Sequence, residues 1–269
     1  KEEHSETPYM TMRAKEFIKE TGDNPWCLHL SFIKPHWPYM APAPYHNMYG
    51  KKSFLPAIRN EIERENPNPV YEMFMEEPVG MTFSQQGTRE TVLPGYMGLI
   101  KQIDDHLGDL FKFLDDKGKT NDTMIVFTSD HGDYLGDHWL GEKELFHEAS
   151  VKVPLIVVDP RKSADKTRGL VSNELVESID LLPTFIEAVG LEIPTGRLEG
   201  HSLMPIINDK LENNFRKSVF SELDYGCYPV RDKLNIDVND AKIFMIRNHK
   251  WKYIYYKGFD AQLFDLEND

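Results

Sequence analysis

Apolar residues recur along this chain in two kinds of pattern. Leu99, Ile100, Ile103, Leu107, Leu110, Phe111 and Leu114 return every three or four residues, so they share one face of a helix. Lys117-Gly118 supplies its stop. Three other runs are short and continuous: 26–33, 124–128 and 153–158. Bounded by turn residues, they predict buried strands, and Pro154 is tolerated because it lies near a strand start. Thr7-Pro8 opens a further helix, with Thr as N-cap and Pro as the first helical residue. Met12, Phe17 and Ile18 give it an apolar stripe, and Gly22 ends it. A last helix is predicted over 178–189, with Ile179, Leu182, Ile186 and Val189 on one face.

Residues 37–87 are rich in Pro, Asn, Tyr and Met and predict a long irregular region, of the kind used for lids and binding loops. After about Leu191 the character changes. Loops dominate to Phe215, and Val219-Phe220-Ser221 reads as a short strand. The runs 242–247 and 251–256 flank Asn248-His249-Lys250, a hairpin signal. The element order predicts an α/β sheet flanked by helices over 1–190 and a smaller α+β antiparallel subdomain over 191–269.

Composition narrows the partners. With 44 acidic against 31 basic residues, the formal net charge is -13. Such a surface disfavours nucleic acid and anionic lipid, so neither is expected as a partner. An anionic small molecule remains compatible, because a metal and a few cations can reverse the field in one pocket. No apolar run approaches a bilayer's thickness. The two cysteines, Cys27 and Cys227, imply neither a disulfide framework nor a metal pair, so the compartment stays open between cytoplasmic and exported. Cys27 lies inside an expected strand and reads as a buried packing residue. The polar start and the abrupt end both read as those of a fragment.

The stretch that carries chemistry is Thr128-Ser129-Asp130-His131-Gly132-Asp133, directly after an expected strand. Ligands collect at the carboxyl ends of strands in α/β sheets. A carboxylate and an imidazole delivered there, with a glycine for the turn, make half of a plausible metal site. Alone, the pair equally suits a strand-end turn. Gly136-Asp137-His138, Lys143 and Val153-Pro154-Leu155-Ile156 follow. With them, the sequence resembles the sulfatase and phosphonate monoester hydrolase group of the alkaline phosphatase superfamily. Lys34-Pro35-His36-Trp37-Pro38-Tyr39, Tyr96 to Gly108 and Leu263-Phe264-Asp265-Leu266-Glu267-Asn268 extend the resemblance over nearly the whole chain, in order.

The resemblance implies an alkaline-phosphatase-like sheet and one divalent metal ion, Ca²⁺, Mn²⁺ or similar. It makes Asp130 and His131 metal ligands and Lys143 the contact to the substrate's oxyanion. It makes His36 a substrate-binding histidine that helps the leaving group depart. Imidazole at 131, where many sulfatases carry Asn, tilts the metal toward Mn²⁺, Fe²⁺ or Zn²⁺. The substrate implied is a small sulfate, phosphonate or phosphate ester, and a homo-oligomer is compatible.

The family's nucleophile is a formylglycine made from cysteine in Cys-x-Pro-x-Arg, near the N-terminus and preceded by an Asp pair. Here that pattern occurs only at Cys227-Tyr228-Pro229-Val230-Arg231, after the metal strand and with bulky residues at the variable places. It reads as a chance match. The 269-residue chain alone is therefore expected to show no turnover, and the protein it represents to be a hydrolase. A superfamily phosphotransferase using Thr or Ser, and an inert binding fragment or paralogue, are the alternatives.

Other residues read as structural. Asp104 and Asp105 suit a helix surface. His46, His138 and His147 carry no stronger signal than packing. Trp251, Tyr253, Tyr255 and Tyr256 alternate as a strand does, for core packing or a subunit contact.

Overall fold

The computed structural model describes residues 1–50, 54–194, 196–212 and 215–268. Eight α-helices and six strands are seen among them, with short 3-10 turns between. The helices are α1 Glu6–Thr21, α2 Pro69–Met75, α3 Pro78–Ser84, α4 Thr88–Asp116, α5 Glu148–Val151, α6 Leu181–Ala188, α7 Met204–Ile207 and α8 Pro229–Leu234. The strands are β1 Ile125–Thr128, β2 Leu155–Val158, β3 Val219–Asp224, β4 Lys242–Arg247, β5 Trp251–Tyr256 and β6 Gln262–Asp265. The chain divides into two compact units. The first holds 1–58 and 82–123, the second 59–81 and 124–269.

In the first unit, α1 buries Thr7, Thr11, Ala14 and Ile18, a stripe of small residues at helical spacing. Of the expected stripe, Ile18 is buried while Met12 and Phe17 stay exposed. Gly22 ends the helix at φ 60°. Helix α4 begins eleven residues before Leu99 and carries Pro94 inside it. It buries Leu93, Leu99, Gln102, Leu110 and Leu114. Gln102 Nε2 donates to Ser5 Oγ at 2.8 Å, and His106 Nε2 meets Glu2 Oε1 at 2.7 Å, which ties the start of the chain to α4. Lys101 pairs with Asp104 and Asp105 on the helix surface.

The run 26–33 is not a strand. It is extended, pairs with no strand among the described residues, and leaves Cys27 exposed. An apolar run records a capacity for burial, and only a ladder partner turns it into a strand. The described residues of 54–87 include two helices that were not expected. Asn68 caps α2 by accepting from Val70 N, with Pro69 in the first turn, and Pro78 opens α3.

In the second unit, β1 and β2 pair antiparallel, Ile125 with Val158 and Thr128 with Leu155. The strands stand where the runs place them. Their burial is only partial, since Phe127 and Ile156 stay exposed. Helix α6 stands as expected, but Ile179, Leu182 and Val189 face outward while Pro183 and Thr184 are buried. Four strands form an antiparallel sheet in the order β3-β4-β5-β6. The hairpin forms at Asn248, whose Oδ1 accepts from Lys250 N and Trp251 N at 2.8 and 2.7 Å. Period-2 alternation puts Ile243, Met245, Ile254 and Tyr256 inward, against Val70, Phe74, Tyr134, Leu145, Phe146 and Val230. Trp251, Tyr253 and Tyr255 face outward.

Candidate active site

Strand β1 delivers its C-terminal end to a tight turn. Thr128 Oγ1 donates to Pro154 O at 2.9 Å, which fixes the exit beside the start of β2. Ser129 Oγ donates to His131 O at 2.7 Å, and Asp130 Oδ1 accepts from His131 N at 3.0 Å. These bonds orient Asp130 and His131 locally. The His131 ring is then fixed by Nδ1, which lies 2.7 Å from Gly132 O. A carbonyl only accepts, so Nδ1 carries the proton and the basic lone pair belongs to Nε2. Nε2 lies 3.6 Å from Asp130 Oδ2.

That arrangement fits a metal. An imidazole ligand commonly donates its other ring N–H to a backbone carbonyl, which sets tautomer and direction. Two donors bound to one ion at bond lengths of about 2.0–2.2 Å stand roughly 3.0–3.6 Å apart. Asp130 is 85% exposed at its side chain and accessible to an ion. A carboxylate oxygen with an imidazole nitrogen suits Mn²⁺, Fe²⁺ or Zn²⁺, and Ca²⁺ less well. Among the described residues no three His, Cys, Asp or Glu side chains gather as a metal site. Asp130 and His131 are a pair, and a divalent ion takes at least four donors.

The loop after the turn folds back on it. Gly132 N donates to Ser150 O at 2.7 Å. A Cβ at residue 132 would overlap the Ala149 carbonyl oxygen, so the approach requires glycine. Ser150 Oγ donates to Lys143 O. Lys143 Nζ lies 3.3 Å from Glu142 Oε2. Leu135, His138, Trp139, Glu142 and Leu145 all adopt positive φ. Each such residue costs about 1 kcal/mol, so the surroundings must hold the loop. His138 stacks on His147 at 4.0 Å between centroids and meets Glu63 Oε1 at 2.6 Å through Nδ1. Tyr71 donates to His138 O at 2.6 Å. Trp139 Nε1 donates to Asn60 O at 2.9 Å, and Arg59 and Arg64 lie over its ring. Burial first, then His138 and Lys252, pushes the His147 pKa well below its ordinary value.

Asp130, His131 and Lys143 line one cleft of about 1710 Å³, together with Glu148, Tyr228 and Arg247. All its lining residues belong to the second unit. His36 belongs to the first. There its N–H donates to Ile33 O at 3.1 Å and its Nδ1 lies 3.1 Å from Trp37 O, which leaves Nε2 as the basic nitrogen. His46 is exposed on a single helical turn.

The sulfatase family profile matches residues 5–191. The chain belongs to the sulfatase family. A second profile, N-sulphoglucosamine sulphohydrolase C-terminal, matches residues 136–269. The multifunctional alkaline phosphatase superfamily protein PehA of Trinickia caryophylli is 31% identical over 287 residues, covering 99% of this chain and 54% of that one. The choline-sulfatase of Rhizobium meliloti (strain 1021) is 29% identical over 249 residues, covering 91% and 45%. Among solved structures, the phosphonate monoester hydrolase SpPMH from Silicibacter pomeroyi superposes with a TM-score of 0.89 at 26% identity, over 100% of this chain and 55% of that one. The α/β, alkaline-phosphatase-like fold class read from the sequence therefore holds. The chain spans about half the length of the curated relatives it matches.

Within this sulfatase-family chain, Cys227 is exposed and its neighbour Tyr228 lines the cleft. Tyr228 packs on Phe74 and donates to Glu144 Oε1 at 3.1 Å. Pro229 starts α8 and Val230 is fully buried. Sequence reasoning left Ser150, which lines the cleft, out of the site. Glu63, His138 and His147 contact one another in the supporting loop, and Asn60 and Glu63 form a reciprocal cap, a pattern legible from spacing alone.

Proposed function

We propose that Asp130 and His131 are two ligands of a divalent metal at which small sulfate esters, or phosphonate and phosphate esters, are hydrolysed. One observation carries this reading: the His131 Nδ1 contact to Gly132 O, which leaves the Nε2 lone pair beside Asp130 Oδ2. Membership of the sulfatase family supports it, as do relatives named as sulfatases and as phosphonate monoester hydrolases.

When bound, the metal supplies Lewis-acid stabilisation of the ester's developing charge. The chain's own groups do the rest. Lys143 Nζ places a cation in the same cleft, where it stabilises the negative equatorial oxygens of the transferred group. Glu142 beside it restrains its direction. His36 carries the role implied by resemblance, proton donation to the leaving oxygen. The reading places the formylglycine nucleophile outside residues 1–269 and assigns that role neither to Cys227 nor to Cys27.

The experiment is hydrolysis of an aryl sulfate and an aryl phosphonate monoester by the complete protein and by its Asp130→Ala and Lys143→Ala variants. Each variant is expected to lose about 100-fold or more in kcat/KM. Full activity in both would end this reading. Transfer of the phosphoryl group to an alcohol rather than water would instead favour a phosphotransferase.

A further inference from the structure

Strand β5 alternates Trp251 out, Lys252 in, Tyr253 out, Ile254 in, Tyr255 out and Tyr256 in. Lysine thus occupies a core position of the sheet, and it is only 3% exposed. An ammonium group there bears a desolvation cost that Met or Leu of similar length would avoid. Burial lowers the Lys252 pKa, and Glu148 opposes the fall. What lysine adds is directional. Its Nζ donates to Phe146 O at 2.8 Å and to Glu148 Oε1 at 2.6 Å. Arg247 Nε, on the neighbouring strand, stands 3.4 Å from that same carboxylate oxygen.

Both acceptors belong to the segment that carries the candidate chemistry. Phe146 follows Leu145, a left-handed residue, and Lys143 lies three positions before Phe146. Ser150 lies two positions beyond Glu148. It binds the turn at both points, through its carbonyl to Gly132 N and its hydroxyl to Lys143 O. The sheet therefore reaches the cleft through one chain of contacts: Lys252 fixes 146–148, and that segment fixes Lys143 and the residue after His131.

We propose that Lys252, with Glu148 as its counter-ion, is a positioning residue for Lys143. It sets where the Lys143 cation stands relative to Asp130 and His131 and touches neither ligand. The proposal rests on the role given to Lys143 above.

The test is a double-mutant cycle in the complete protein, read as kcat/KM for an aryl sulfate or phosphonate ester. Lys252→Met is expected to lower it about 10- to 100-fold, the usual cost of losing an orienting partner. Added to Lys143→Ala, it should cost nothing further, because its effect passes through that lysine. Lys252→Arg, which keeps the donors, should restore part of the loss. Amide hydrogen exchange gives a readout independent of activity: 142–150 should exchange faster in Lys252→Met while β3 and β4 do not change. Equal losses in both backgrounds would mark a general structural effect and overturn the proposal. So would unchanged exchange, or unchanged activity where Lys143→Ala is impaired. If Lys143→Ala were itself fully active, the reading of the site would fall, and the proposal with it. Should Lys252→Met not fold, Glu148→Gln carries the same cycle with the same expected outcomes.

Discussion

Gly132 N donates to the Ser150 carbonyl at 2.7 Å, and this bond joins the turn of Asp130 and His131 to the segment of Lys143. Two stretches of loop separated by eighteen positions thereby share one geometry. The close approach exists because residue 132 has no side chain.

Gly132→Ala tests that approach. Its methyl would overlap the Ala149 carbonyl, which is backbone and cannot swing aside. We expect a loss of roughly 1–3 kcal/mol, measured as a lower urea midpoint, from overpacking alone. Unchanged stability would mean that the two loops are not held against each other.

Arg216 and Asp180 form the best-buried ion pair of the second unit. Arg216 Nη1 and Nη2 each donate to Asp180 at 2.7 Å, while Glu177 N and His201 N satisfy the same carboxylate. Arg216→Met strands that carboxylate in the interior, and we expect about 3–5 kcal/mol of destabilisation in denaturant titrations. A loss below about 1 kcal/mol would show that water replaces the guanidinium.

His147 predicts an acid sensitivity. Its folded pKa is depressed by burial, so between the unfolded value and the folded one the unfolded chain binds a proton that the folded chain does not. Stability is then complete above about pH 6.5 and falls as pH drops below it. Glu148, Asp159 and Asp180, with folded pKa values held low by their cations, add their own loss only near the ordinary carboxylate range. Urea midpoints measured from pH 7.5 to 5.5 should decline in the wild type. His147→Phe should flatten that slope, and an equal slope in both proteins would contradict the assignment.

The sequence showed well whatever is written locally. The β4–β5 hairpin stands on Asn248, and α4 reaches its stop at Gly118 with Leu99, Leu110 and Leu114 buried but Ile100 and Phe111 exposed. Asp130, His131 and Lys143 line one cleft. Long-range satisfaction was less legible. The run 26–33 lacks a ladder among the described residues, and the outward face of α6 carries the residues expected inside. Lys252 was hidden among aromatics, although its inward phase beside Ile254 and Tyr256 was readable. What could not be read was which carbonyl and which carboxylate it would meet more than a hundred positions away.

Imidazole at 131 predicts a metal preference. His131→Asn replaces nitrogen with an amide oxygen and should move the ratio of Ca²⁺ to Mn²⁺ affinity toward Ca²⁺ by roughly 10-fold or more, read by competition calorimetry. No change in that ratio would remove His131 from the ligand set.

The central claim is that Asp130 and His131 hold a divalent ion, and Mn²⁺ titration of the complete protein followed by electron paramagnetic resonance tests it most directly. The account predicts one bound Mn²⁺ per chain, with affinity at least about 100-fold weaker in Asp130→Ala and in His131→Ala. Equal Mn²⁺ affinity in the wild type and both variants would contradict it.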